Sequence, residues 1–172
     1  MESLASILES LNLGTLVNAG DWIWPLCEII HFVGMALLIG TVGLLDARIL
    51  GLARGIPVAS LERLVPWGIA GFVMNAITGF IFVAGNPIGG PIDYLGNLAL
   101  QIKMVLILIA GVNLLVWYKT GIAAKANQTA PDGDVVPAAK AVAIVSLVMW
   151  FGVIVFGRLI MYNDTLLYAL GL

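Results

Sequence analysis

Glu28 and His31 stand one helical turn apart inside an apolar run, Cys27-Glu28-Ile29-Ile30-His31, and His31 is the only histidine in the chain. A charged side chain at mid-depth in a bilayer costs roughly 2.5–3.5 kcal/mol on insertion scales, so residues of this kind are functional candidates by default. An imidazole ligates metal or haem iron, or carries a proton. A carboxylate one turn away can orient that imidazole or couple to its proton. Cys27, His31 and Met35 fall at i, i+4 and i+8, a ladder of ligand types that Cu(I) tolerates. Glu-x-x-His also occurs in di-iron bundles, but those need two such pairs and further carboxylates, and this chain has one pair. There is no phosphate loop, no Ser–His–Asp set and no zinc-protease motif.

Two more ionisable residues belong to the same depth. Counting about 1.5 Å per residue from the start of the first apolar stretch, Glu28 lies roughly 9 Å and His31 roughly 13 Å inside the membrane. Lys103 comes early in the third apolar stretch and Arg158 near the end of the fourth, so both are expected in the same half as Glu28 and His31. At 100° per residue, Trp24, Cys27, Glu28, His31, Met35 and Leu38 fall within about 100° of one another. Gly68, Gly71, Asn75 and Thr78 make a small, polar stripe suited to close helix packing. Lys103 shares a face with Leu106, Ala110, Asn113 and Trp117, and Arg158 with Phe151, Ile154 and Tyr162. The candidate centre is therefore Glu28, His31, Lys103 and Arg158, lined further by Asn75, Thr78, Asn113 and Tyr162. Other roles fit the same residues. Glu28 can pair with a basic residue to fix helix register, Lys103 and Arg158 can reach the headgroups, and Cys27 can act as a small core hydrophobe. Asp46 and Arg48 read as anchors at the opposite boundary.

These residues need helices to hold them. The 172-residue chain is 61% hydrophobic and 10% charged, with mean hydropathy +1.06. Soluble domains carry about 25% charged residues, so an integral membrane protein is expected. Four stretches, about 22–45, 64–84, 98–118 and 139–162, are long enough for the ~20 residues that a spanning helix requires. No period-2 alternation recurs, which excludes a β-barrel. The predicted fold class is all-α, a polytopic four-transmembrane-helix bundle forming a single domain. Over 2–20, Leu4, Ile7, Leu8 and Leu11 recur at helical spacing among polar residues, which predicts an amphipathic helix on the membrane surface. No removable signal peptide is expected, because residues 1–4 carry no basic residue. One cysteine excludes an intrachain disulfide.

Basic residues set the expected orientation. Arg48, Arg54 and Arg63 flank the first connection and Lys119, Lys125 and Lys140 the third, whereas residues 2–20 and 85–97 carry none. The first and third connections are thus expected in the cytoplasm, with both termini outside a bacterial inner membrane. The third connection, 121–137, reads as a flexible loop. The second, with Asn86-Pro87-Ile88-Gly89-Gly90-Pro91, reads as a turn-rich cap.

Several motifs resemble a bacterial family of four-helix inner-membrane proteins of unknown function. They are Trp24-Pro25-Leu26-Cys27-Glu28, His31-Phe32-Val33-Gly34, Asp46-Ala47-Arg48-Ile49-Leu50-Gly51, Leu100-Gln101-Ile102-Lys103-Met104 with Asn113, and Gly157-Arg158-Leu159-Ile160-Met161-Tyr162. The likeness covers about residues 20–165. More distantly, the helices are similar to HemJ-type protoporphyrinogen oxidases and CopD-type copper proteins. HemJ-type proteins bind haem b and carry a first-helix histidine with glycine three positions on, as His31 and Gly34 do. Their third helix has a His-x-Lys pattern whose lysine matches Lys103. Gln101 stands where that histidine would be, and Asn113 where a later one often lies. The resemblance implies a bundle with a cofactor pocket and does not imply porphyrinogen oxidation.

The leading expectation is a redox or cofactor-binding bundle. His31 would be an axial ligand to b-type haem, and Lys103 and Arg158 would meet propionates or another anion. Copper at Cys27, His31 and Met35 is the lesser cofactor alternative. A second expectation is a small transporter or channel for an anion, a proton or copper. A third is a membrane anchor for a periplasmic partner protein. The lipid bilayer is the expected partner, a homo-oligomer would supply a second His31, and no nucleic acid is expected.

Overall fold

The computed structural model describes residues 2–52, 54–86 and 89–171, and these residues form helices and turns without a strand. Ten α-helices follow in order. They are α1 (Glu2–Ser10), α2 (Leu13–Val17), α3 (Ile23–Ile49), α4 (Val58–Glu62), α5 (Val65–Ala84), α6 (Gly90–Gly96), α7 (Leu98–Lys119), α8 (Ile122–Asn127), α9 (Pro137–Leu159) and α10 (Asn163–Leu170). A 3-10 turn (Ile160–Tyr162) links the last two. Helices α3, α5, α7 and α9 are long and apolar enough to cross a membrane, which defines a four-helix, multi-pass membrane protein.

Local chemistry sets the ends of these helices. Proline sits in the first turn of α5, α6 and α9, where its missing N–H costs no hydrogen bond. Asn97 caps α7 by accepting from the Leu100 amide at 3.1 Å, and its own amide group donates to the Ile160 carbonyl at 2.9 Å. The Asn163 side chain accepts from the Leu98 amide at 3.0 Å, so the start of α7 is tied twice to the segment that follows α9.

The long helices pair unequally. The most extensive contacts join α3 to α5 and α7 to α9, and α3 meets α9 between the two pairs, while α5 and α7 share no comparable interface. Glycine makes the first pairing close. A Cβ on Gly34 would lie 2.7 Å from the Gly71 carbonyl oxygen, and one on Gly71 would lie 2.5 Å from that of Gly34. Such reciprocal contact is open only to residues without a side chain. The α7–α9 seam uses glycine differently. Leu106 and Lys103 of α7 lie across Gly152 and Gly157 of α9.

The buried core gathers at the end where α4 and α8 meet. Leu45, Ile49, Val58, Leu61, Trp117, Ala126 and Ala139 are among its members. Three sequence expectations change here. The first spanning helix does not end near residue 45 but continues through Asp46 and Arg48 to Ile49, because both charged residues turn inward and are buried. The surface segment is two helices, broken at Asn12, which adopts the left-handed conformation (φ 55°) that a short polar side chain tolerates. Residues 121–137 are not all loop: α8 forms because Ala123 and Ala126 pack into the core. In the second connection, Pro87 and Ile88 lie outside the described residues, and α6 follows them.

Candidate functional site

His31 projects from α3 onto α5. Its Nδ1 lies 2.7 Å from Thr78 Oγ1, and its ring packs against Phe82 with centroids 5.4 Å apart. The Thr78 hydroxyl also lies 2.8 Å from the Met74 carbonyl oxygen, one turn back on α5. A hydroxyl has one proton to donate and lone pairs to accept with. With Thr78 donating to Met74, its hydroxyl oxygen accepts from His31 Nδ1–H, and a neutral imidazole then keeps its lone pair on Nε2; with the hydroxyl proton turned to Nδ1 instead, the ring proton sits on Nε2. Thr78 itself is buried, 3% exposed, which fixes the imidazole from behind. Asn75, one turn before, donates to the Gly71 carbonyl at 2.9 Å and stands beside Gly34.

Lys103 comes to the same region from α7. Its chain lies across α9, where a Cβ on Gly157 would sit 3.3 Å from Nζ. Its charge acts electrostatically on His31. No ion pair or hydrogen bond reaches Lys103 among the described residues.

The other two members of the expected centre stand apart. Glu28 is exposed and accepts from Trp24 Nε1 at 3.0 Å. It lies near Tyr94 of α6, whose phenol is raised above its ordinary value first by burial and second by the Glu28 charge. Arg158 is exposed, packed over the Tyr162 ring at 5.5 Å with Nη2 3.5 Å from that phenol oxygen. Phe151 is 70% exposed on the same stripe of α9, which therefore faces away from the bundle. The basic residue that turns inward is Lys103 and not Arg158, and neither pairs with Glu28.

Cys27 is buried and free, and Met35 is half-buried. Among the described residues no group of three or more His, Cys, Asp or Glu side chains could hold a metal ion. Asn113 lies beyond the His31 region and donates to the Val142 carbonyl at 3.0 Å, binding α7 to α9.

Sequence reasoning missed a second polar locus, around Asp46. This carboxyl is only 5% exposed, Ser146 of α9 is its hydrogen-bonding neighbour, and its Oδ2 has no partner. Two residues on, Arg48 is 1% exposed and turns the other way. Its Nε donates to the Ile56 carbonyl at 2.5 Å, and Nη2 donates to the carbonyls of Ala130 and Pro131. The available signal was spacing. Asp46 is about 60° around α3 from His31, on the inward half of the helix.

Compared with protein-family models, with curated proteins and with solved structures, the chain matches none.

Proposed function

We propose that this membrane protein binds a cofactor or ligand at the His31–Lys103 centre, and that the class best suited is a b-type haem. The carrying observation is the 2.7 Å contact of His31 Nδ1 with Thr78 Oγ1, which orients the imidazole and, with Nδ1–H as the donor, leaves the Nε2 lone pair for a metal. A bound haem would supply one-electron chemistry. Lys103, an ammonium without a counter-ion in an apolar bundle, suits a propionate or another anionic group. Thr78 and Phe82 hold the ring in place. One chain offers one imidazole, so a second axial ligand has to be water, a methionine or His31 of a second copy. Cys27 and Met35 flank His31 on α3, which keeps copper as the lesser alternative. Six basic residues (Arg48, Arg54, Arg63, Lys119, Lys125 and Lys140) gather at the α4–α8 end. That asymmetry supports a cytoplasmic location for this end, in a bacterial inner membrane.

The test is the visible spectrum and metal content of protein purified from haem-supplied cells. A Soret band is expected, lost in His31→Ala and kept in Glu28→Gln. Folded protein with no Soret band and no stoichiometric metal overturns the cofactor reading and leaves Lys103 as a site for a small anion alone.

A further inference from the structure

Asp46 faces a cavity of about 260 Å³ enclosed by all four long helices. The walls are almost wholly apolar, and four aromatic side chains, Phe72, Trp117, Tyr118 and Trp150, contribute to them. Against α3 and α9 a smaller cavity of about 130 Å³ reaches the same carboxyl. The larger one lies beside the seam where α5 and α7 share no extensive contact, and its lining residues Ile69 and Leu114 are 49% and 41% exposed. Its mouth therefore opens sideways, towards the bilayer.

The polar content of this cavity is one-sided. Among the described residues Asp46 is the only carboxylate lining it, and its Oδ2 is buried without a partner. Ser146 stands beside that carboxyl, and Asn113 donates one of its two amide hydrogens to the Val142 carbonyl. Arg48, two residues on, is held by the carbonyls of Ile56, Ala130 and Pro131 and is not part of the lining. Glu62 is occupied by Trp117 and Asn127 at the edge of the cavity. A buried carboxylate in a membrane bundle calls for a counter-charge or a hydrogen-bond donor. Aromatic faces favour a cation over a neutral donor. A cavity of 150 Å³ holds a benzene ring, so this one holds a molecule of about ten non-hydrogen atoms.

We propose that the Asp46 cavity binds a small lipophilic ammonium ion, an amine on an apolar or aromatic body, that enters from the bilayer between α5 and α7. The ammonium meets the Asp46 carboxyl and the body lies among the aromatic walls. The site does not depend on the reading given for His31.

The test uses full-length protein in lipid nanodiscs, titrated calorimetrically with 2-phenylethylamine and with 2-phenylethanol, against empty nanodiscs. The two probes share a shape and differ in charge. The amine is expected to bind at least tenfold more tightly than the alcohol. Asp46→Asn is expected to abolish that preference while the alcohol still binds, which shows that the cavity survives. His31→Ala is expected to leave the amine affinity within twofold, separating this site from the haem reading. Equal affinity for the two probes in the wild-type protein, a preference that persists in Asp46→Asn, or no binding of either probe overturns the proposal. The comparison of probes on wild-type protein decides the matter even if the variant fails to fold.

Discussion

The Thr78 hydroxyl has one proton, and the Met74 carbonyl takes it. With the hydroxyl so used, a lone pair is left for His31, and the side chain that orients the imidazole favours the tautomer with the proton on Nδ1. Thr78→Val keeps the size and removes the acceptor. The Nδ1–H is then buried without a partner, at a cost of about 0.5–2 kcal/mol, the range for such bonds in membrane bundles. Thr78→Ser keeps the hydroxyl and is expected to retain most of that stability. Reversible denaturation in detergent compares the two, and a valine variant as stable as the serine one removes Thr78 from the site. At this scale the sequence is only partly legible. Lys103 and Arg158 have equal charge and similar depth, and only the packing around Gly157 separates them. Both helices are apolar on every side, so the usual contrast between a wet and a dry face is absent. Asp46 was hidden for a related reason: a charge near the end of a span reads as the boundary, and only its burial shows that the helix runs on.

Helices are more legible than faces. The four spans follow from length and composition, because the bilayer imposes both. The helices α4, α6 and α8 do not, since they form where they can pack, in stretches that the sequence marks only as connections. The stripe on α5 is the exception, and it shows why. Small residues at helical spacing have one use in a membrane, close approach, and Gly68, Gly71 and Thr78 are all buried against α3. Gly71→Ala would place its Cβ 2.5 Å from the Gly34 carbonyl oxygen and 2.9 Å from the Leu37 Cβ, neither of which is a yielding side-chain end. The α3–α5 pair must part, at about 1–3 kcal/mol. Gly40→Ala, on α3 with nothing within 4 Å, is the matched control. It is expected to be neutral or to gain up to about 1 kcal/mol from helix propensity. Stability of the two variants in one detergent gives the sign directly, and equal effects would deny the close contact.

At the scale of the whole molecule, two hairpins have to be kept in one arrangement, and besides the Glu62 bonds to Trp117 and Asn127 two polar links do so at the α4–α8 end. One is buried: Arg48 of α3 donates to carbonyls in the first connection (Ile56) and the third (Ala130 and Pro131). The other is exposed: Asp134 of the third connection bridges Arg54 at 3.4 Å and Lys140 at 3.3 Å. Burial decides which one matters. Lys140, through its hydrogen bond and charge, and then Arg54 hold the Asp134 carboxyl below the ordinary carboxylate range. Its contribution is therefore present at neutral pH and is lost only as pH falls through that lowered value. Water screens so exposed a group, so Asp134→Asn should leave the unfolding midpoint at pH 7 unchanged. Arg48→Met is different, because three carbonyls lose a charged donor inside the fold. A loss of about 3 kcal/mol or more is expected, with proteolysis accelerated at residues 128–136 once the third connection is released. Chemical unfolding and limited proteolysis on the two variants separate the devices. If Asp134→Asn costs as much as Arg48→Met, the hairpins are held by surface charge, and the buried guanidinium is not the clasp.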